Sequence, residues 1–339
     1  MNPTRPRVLM IAYACEPGRG SEPAVGWTWA CQAARHADVT VITRSNNHDV
    51  IAADLARQPR PGLSFAYADL PQPLRFWKRK ARGALAYSLA WQVPALVEAL
   101  ALHRERPFDL VHHVTFVQPY LPALASLLPI PLVWGPIGAN RPIPPAFARE
   151  VLEPGERALD LARVVLEQLQ PVNLPTRLAR EKASALIAID PYVAESFPES
   201  LRRRTRVLPS NFQEPFPGAD PSRPAGEFRV LMVGNLIGIK GFRLGVRAFA
   251  RFARATGGPA SLEIVGDGPD RETLRGLTRE SGVADRVTFS GTLSRDAARE
   301  TMARAHVLVH PSFEGGGQVV LEALAAGTPV VCLDRKSVV

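Results

Sequence analysis

His310–Pro311–Ser312–Phe313–Glu314–Gly315–Gly316–Gly317–Gln318–Val319–Val320–Leu321–Glu322 is the stretch whose reading decides the fold. A short apolar run, His306–Val309, precedes the turn and reads as a buried strand; Val319–Ala326 follows and reads as a helix. Three consecutive glycines let the backbone approach a ligand where a Cβ would collide. They also place amide N–H groups at a helix N-terminus, where the aligned peptide dipoles favour an anion such as a diphosphate. Glu314 and Glu322 bracket the turn. Ionised carboxylates only accept hydrogen bonds, so they suit a ligand rich in hydroxyls, such as a sugar and a ribose. A glycine-rich strand-to-helix turn with two surface glutamates accounts for the same residues.

Glu314-x7-Glu322 is preceded by Pro311–Ser312 and followed by Ala323–Leu324–Ala325–Ala326–Gly327–Thr328–Pro329–Val330–Val331. The whole resembles the signature of glycosyltransferase family 4, whose members are retaining, use nucleotide sugars and have the GT-B fold. Gly234 with Lys240–Gly241, Val265–Gly266–Asp267–Gly268–Pro269, and Val287–Thr288–Phe289–Ser290–Gly291 resemble further landmarks in the family's order and spacing. The resemblance covers residues 228–333 most specifically. It extends loosely over the first two hundred residues, where Glu16–Pro17–Gly18–Arg19–Gly20–Ser21–Glu22–Pro23 resembles a bacterial subgroup.

Read in order, the chain alternates strand and helix, with strands apolar along their length, which implies parallel sheets covered on both faces. Strands are expected at Arg7–Ala14, Asp38–Arg44, Leu63–Asp69, Leu110–Phe116, Pro131–Gly138 and Ser184–Asp190. Helices are expected at Ala24–His36, at Phe76–His103 with a break near Pro94, and through most of 144–183. Between Pro209 and Pro224 prolines accumulate and periodicity fades, as in an interdomain linker. The alternation restarts with strands 228–233, 260–265, 286–290, 306–310 and 329–333 and helices 241–255, 269–280, 295–304 and 317–326, with Ser294 as an N-cap. The expected division is a first, acceptor-side domain over 1–208, a linker over 209–227, and a nucleotide-sugar domain over 228–339. The class is α/β, and the resemblance makes it GT-B: two Rossmann-like doubly wound parallel sheets facing across a cleft.

A chain of 339 residues is natural for two domains. Its 46% hydrophobic and 22% charged residues are ordinary for a globular protein. Cys15, Cys31 and Cys332 are odd in number and form no CxxC pair, which points to reduced cytoplasmic thiols rather than a disulfide framework or a zinc knuckle. No signal peptide is read, and no window approaches 18 uninterrupted apolar residues. The net charge of +9 does not indicate nucleic acid, because the arginines are scattered and no nucleic-acid motif accompanies them. Arg75–Phe76–Trp77–Lys78–Arg79–Lys80–Ala81–Arg82 leads into an apolar helix with Tyr87 and Trp91. This basic, aromatic element fits peripheral contact with an anionic membrane surface, and equally a solvated helix face.

Other motifs carry less by themselves. Gly18–Arg19–Gly20 lacks the third glycine of a dinucleotide fingerprint and the Gly-Lys-Ser/Thr of a P-loop, leaving a tight turn or an approach to donor phosphate or acceptor. His112 and His113 point to opposite faces of their strand, so at most one can face a cleft. The resemblance implies a histidine near this position that contacts the donor sugar or acceptor, taken as His113; a histidine satisfied inside the fold accounts for the same residue. Lys240, between a strand and a helix, can neutralise a leaving diphosphate; in isolation a surface lysine accounts for it, and the resemblance favours the functional role. Asn235 stands where the family often has a second diphosphate-binding arginine; it donates a hydrogen bond without charge, and Arg243 is the candidate to replace that cation.

The resemblance implies transfer of a sugar from a nucleoside diphosphate to a hydroxyl acceptor, with retention. The acceptor would be a lipid-linked or polysaccharide precursor. Catalytic roles fall to Lys240, Glu314 and His113. Donor and acceptor contacts fall to Gly18, Gly20, Gly234, Asn235, Gly291, the amides of Gly315, Gly316 and Gly317, and Glu322 at the ribose. The chain has no Asp-x-Asp pair, and a lysine with a helix N-terminus can stabilise the leaving group without metal or other cofactor. A GT-B epimerase or hydrolase, or a non-catalytic sugar-nucleotide-binding protein, would carry the same motifs. Asp334–Arg335–Lys336–Ser337–Val338–Val339 resembles no family continuation, so the second domain is expected to be incomplete.

Overall fold

A computed structural model describes residues 5–75, 83–138, 143–169, 173–210, 226–314 and 317–333. The chain divides into two compact units: Met1–Ala139 with Val165–Ser210, and Asn140–Val164 with Asn211–Val339. Residues 140–164, which the sequence reading placed in the first domain, therefore pack with the second. Residues 211–225, most of the expected linker, lie outside the described residues, as do Phe76–Arg82 and Asp334–Val339.

The first unit is built on seven strands: β1 (Arg7–Ile11), β2 (Asp38–Arg44), β3 (Leu63–Ala68), β4 (Leu110–His113), β5 (Leu132–Ile137), β6 (Ala183–Ala188) and β7 (Thr205–Val207). All pair in parallel, in the order β3-β2-β1-β4-β5-β6-β7. Alternate residues of β1 feed two different cores: Leu9 and Ile11 join one cluster, Val8 and Met10 another. Both faces of the sheet are thus covered, as the apolar strands require.

Its early helices are α1 (Glu22–Ala33), α2 (His48–Arg57) and α3 (Ala84–Glu105). The expected break at Pro94 does not occur, and α3 runs through it. A proline there removes a backbone donor and crowds the preceding turn. Packing on both sides of Pro94 holds the helix, through buried Trp91, Ala95 and Ala99. Trp91 Nε1 donates to Ala68 O at 2.7 Å, and the Tyr87 hydroxyl donates to Asp69 Oδ1 at 2.5 Å. By length and apolar composition Leu85–Glu105 could cross a membrane. Here one face of it is part of the core, while Val93 and Val97 on another are exposed.

After β5 come α4 (Pro145–Val151) and α5 (Pro154–Gln168), then α6 (Leu174–Lys182), α7 (Pro191–Glu195) and α8 (Glu199–Arg202). The second unit holds β8 (Phe228–Val233), β9 (Ala260–Val265), β10 (Val287–Gly291), β11 (Val307–His310) and β12 (Val330–Cys332). They pair in parallel in the order β10-β9-β8-β11-β12. Helices α9 (Phe242–Thr256), α10 (Arg271–Glu280), α11 (Arg295–Arg304) and α12 (Gln318–Ala325) connect them. Ser294 caps α11 as expected, its side chain accepting from Ala297 N. Val230 and Met232 of β8 enter one core and Leu231 the other.

In each sheet the strand order reverses once, between β1 and β4 and between β8 and β11. Open α/β sheets bind ligands beyond the carboxyl ends of the strands at such a reversal.

Candidate active site

In the second unit the reversal falls between the segments that carry Lys240 and Glu314. β8 ends at Val233, and the chain runs through Gly234 to a 3-10 turn, Gly238–Lys240. β11 ends at His310 and leads into Pro311–Glu314. The two segments are tied at three points. Phe313 N donates to Ile239 O at 2.9 Å. Lys240 Nζ lies 2.5 Å from Glu314 Oε2. Gly241, at φ 67°, leaves no room for a side chain: a Cβ there would stand 2.1 Å from Pro311 O. Lys240 and Glu314 are 21% and 34% exposed, so the pair is open to a ligand rather than sealed.

His310 completes the cluster, although the sequence reading gave it no role. Its ring packs so closely on Gly317 that a Cβ at that glycine would come within 2.8 Å of Nε2. Burial, assisted by the Lys240 charge and opposed by Glu314, holds the imidazole down to about 4. It is therefore neutral at pH 7, and the pair beside it carries the charge. Only the position of His310, between a strand and a proline, hinted at the site.

Gly234, Gly266 and Gly291 lie together at the ends of β8, β9 and β10. Gly266 N donates to Gly291 O at 2.8 Å, and Gly234 N to Val265 O at 3.0 Å. With φ at 130°, Gly266 would place a Cβ 1.9 Å from Gly234 O, so only glycine fits. Asn235 is exposed. Glu322 sits in α12, 3.7 Å from Arg295 Nε. Gly315 and Gly316 lie outside the described residues. Arg243 does not stand in for the missing arginine. It is 12% exposed and held by Glu153 Oε1 at 2.5 Å and Asp270 Oδ1 at 3.1 Å. Burial opposes its charge, but these carboxylates outweigh it and raise its pKa.

Gly18, Gly20 and His113 belong to the first unit: the two glycines lie in the loop between β1 and α1, and His113 is the last residue of β4. Gly18 adopts φ 74°, and among the described residues neither glycine has a neighbour within 4 Å of an added Cβ. Nothing within the unit therefore demands a glycine at position 20. His113 is 4% exposed, and its Nδ1 has no hydrogen-bond partner among the described residues. Burial and the neighbouring His112 ring push it down to about 4. His112 Nε2 instead pairs with Gly135 O at 2.8 Å, and its ring meets Trp29 edge-on. The role of Glu22 in this turn was not read from sequence. Its Oε2 accepts Phe116 N at 3.1 Å, holding that residue at φ 56°. Burial keeps its carboxyl above the ordinary range, partly offset by that N–H.

Two α/β units, each built on one parallel doubly wound sheet, make a GT-B fold, shared with solved structures of glycosyltransferases. The family model described as glycosyl transferases group 1 matches residues 219–339. The 2-deoxystreptamine N-acetyl-D-glucosaminyltransferase of Streptomyces fradiae is 30% identical over 285 residues, which cover 81% of this chain and 66% of that protein. The D-inositol 3-phosphate glycosyltransferase of Acidothermus cellulolyticus is 31% identical over 323 residues, covering 88% of this chain and 67% of that protein. The chain thus spans about two thirds of the length of these curated relatives. Among solved structures, Anabaena Alr3699/HepE in complex with UDP-glucose superposes with a TM-score of 0.56 at 18% identity, over 96% of this chain and 80% of that one. This chain belongs to the group 1 glycosyl transferases.

Proposed function

We propose that the chain is a retaining, family 4 type hexosyltransferase that moves a sugar from a nucleoside diphosphate to a hydroxyl acceptor. The observation that carries this is the Lys240–Glu314 pair at 2.5 Å, half-open at the β8/β11 reversal. In the donor complex Lys240 turns its ammonium to the diphosphate, where negative charge grows as the glycosidic bond breaks. Glu314, released from it, accepts hydroxyls of the transferred sugar, and Glu322 accepts those of the ribose. The backbone at Gly234, Asn235, Gly291 and Gly315–Gly317 approaches the nucleotide. Lys240 and the N-terminus of α12 supply the positive potential, so the reading needs no metal or other cofactor.

Gly18, Gly20 and His113 take the acceptor side. The names of two relatives specify cyclitols, 2-deoxystreptamine and inositol 3-phosphate. A cyclitol or another hydroxyl-rich precursor of a polysaccharide or lipid-linked glycan is therefore the proposed acceptor class. A cytoplasmic protein touching the anionic inner face of the membrane through Arg75–Arg82 accords with the exposed Val93 and Val97 of α3.

The test is a thermal-shift panel of nucleotides and nucleotide sugars, beginning with UDP-glucose, since ligand binding raises stability by mass action. A stabilising donor is then assayed with and without cyclitol acceptors. Transfer only with acceptor supports the proposal. Donor turnover without one points to a hydrolase or epimerase, and binding without turnover to a non-catalytic binder.

A further inference from the structure

Lys240 and Glu314 each have a neighbour packed on the same outside segment. Residues 143–156 bring Ile143, Val151 and Leu152 into a small cluster around Phe313, with Ile239 and Leu244 against it. Val151 is fully buried, and Ile143, Leu152 and Phe313 are nearly so. The Phe147 ring lies 5.8 Å from that of Phe313. Ile239 directly precedes Lys240, and Phe313 directly precedes Glu314. Close packing transmits displacement, because a filled interior has little room to relax.

Polar contacts fix the same segment to the same turn. Gly238 is pressed against it so tightly that a Cβ would come within 2.4 Å of Glu156 Oε2 and 2.7 Å of Val151 O. Glu156 Oε1 accepts Gly238 N at 3.4 Å, while Glu156 Oε2 accepts Glu153 N at 3.0 Å. Within the same segment, Glu153 holds Arg243 in the first turn of α9, and Glu150 pairs with Arg247. The Lys240 turn is thus bounded on one side by Gly238 against residues 151–156 and on the other by Gly241 against Pro311.

We infer that residues 143–156 form a strap that sets the spacing of Lys240 and Glu314, with Glu156 and Leu152 as positioning residues for the diphosphate-binding lysine. The inference rests on the function proposed above for Lys240. Among the described residues no hydrogen bond or ion pair joins the strap to either charged group; it acts through Gly238, Ile239 and Phe313. In sequence it lies nearly ninety residues before the turn it holds, inside a segment of the second unit, Asn140–Val164, that interrupts the first.

The experiment uses the full 339-residue chain. Leu152→Ala, Glu156→Ala and Glu156→Gln are made in the native chain and on a Lys240→Ala background. Amide hydrogen exchange of segments 236–241 and 311–314 is followed without ligand, and affinity for a nucleoside diphosphate is measured by calorimetry. The strap predicts exchange about tenfold faster in both segments for Leu152→Ala and Glu156→Ala. It also predicts binding about tenfold weaker when Lys240 is present but less than about twofold weaker when it is absent, the coupling a double-mutant cycle isolates. Glu156→Gln keeps a single amide oxygen to accept from Gly238 N or Glu153 N, and should restore both measurements in part, leaving smaller losses than Glu156→Ala. Equal losses on the two backgrounds, or unchanged exchange, would overturn the inference. If the native chain binds no nucleotide, the proposed function fails, and the exchange arm still decides the strap. If Leu152→Ala does not fold, the two Glu156 variants decide it.

Discussion

The two sheets reverse strand order at equivalent places, yet the ends of β1 and β4 differ in kind from those of β8 and β11. In the second unit the reversal exposes a lysine and a carboxylate 2.5 Å apart, framed by glycines whose neighbours exclude a Cβ. In the first unit it buries two histidines, both pushed down to about 4, and a carboxyl pushed up, so the groups there lean towards neutrality. Topology provides the place, and the local degree of burial decides what chemistry is offered there. An open ion pair can exchange its partner for a diphosphate, whereas buried neutral imidazoles can offer only hydrogen bonds.

The largest effect should come from the glycine frame. Gly266→Val would drive a side chain into Gly234 O at a backbone angle that β-branched residues avoid, and should cost about 3 kcal/mol or more. Urea unfolding would show the second unit lost first. At Gly20, in contrast, no neighbour among the described residues crowds an added Cβ, and Gly20→Ala should leave the unfolding midpoint within experimental error. Equal sensitivity at both positions would erase the comparison.

Next comes Lys240→Ala, which should lower sugar transfer about ten- to hundredfold. A charge-assisted contact to a leaving group is worth roughly 1.5–3 kcal/mol. Far-UV circular dichroism should be unchanged, and near-normal turnover in this variant would remove the leaving-group role.

A smaller effect follows from the buried histidines. Folding lowers His113 from 6.5 to about 4, so between those values the unfolded chain binds the extra proton. The sign is then fixed: the contribution is fully present above pH 6.5 and is lost as pH falls through 4. His113→Asn should flatten the fall of the urea midpoint between pH 7 and pH 5 relative to the native chain. An identical slope would show that His113 titrates normally. The smallest expected effect comes from the basic cluster at residues 75–82. Sedimentation with vesicles should rise with anionic lipid, fall with salt, and drop when Lys78, Arg79 and Lys80 become glutamine. Equal binding to neutral vesicles would leave that cluster a solvated face.

Much of the second unit was legible because its elements are long, apolar and separated by clear punctuation. β8 and β9 appear at their expected boundaries, and Ser294 caps the helix that it was expected to start. The missed elements are mostly short: β7 has three residues, α7 five and α8 four, too few to show a period. α2 escaped for another reason, since Ile51 is its one buried residue and leaves no apolar stripe. The site was legible as residue types but not as contacts. Lys240 and Glu314 are 74 positions apart, and only the β8–β11 pairing brings them together. Arg243 was a candidate to replace the missing cation because its partners, Glu153 and Asp270, lie 90 and 27 positions away in sequence. The attachment of residues 143–156 to the second unit was illegible for the same reason. Packing around Phe313 decides it, and no local pattern records that.

The most direct test of the central claim separates the diphosphate from the rest of the nucleotide. Calorimetry on the native chain and on Lys240→Ala would compare the nucleoside diphosphate released by the identified donor with the corresponding nucleoside. If Lys240 holds the diphosphate, the variant should lose about ten- to hundredfold in affinity for the diphosphate and none for the nucleoside. Equal affinities of the two proteins for the diphosphate would contradict the account.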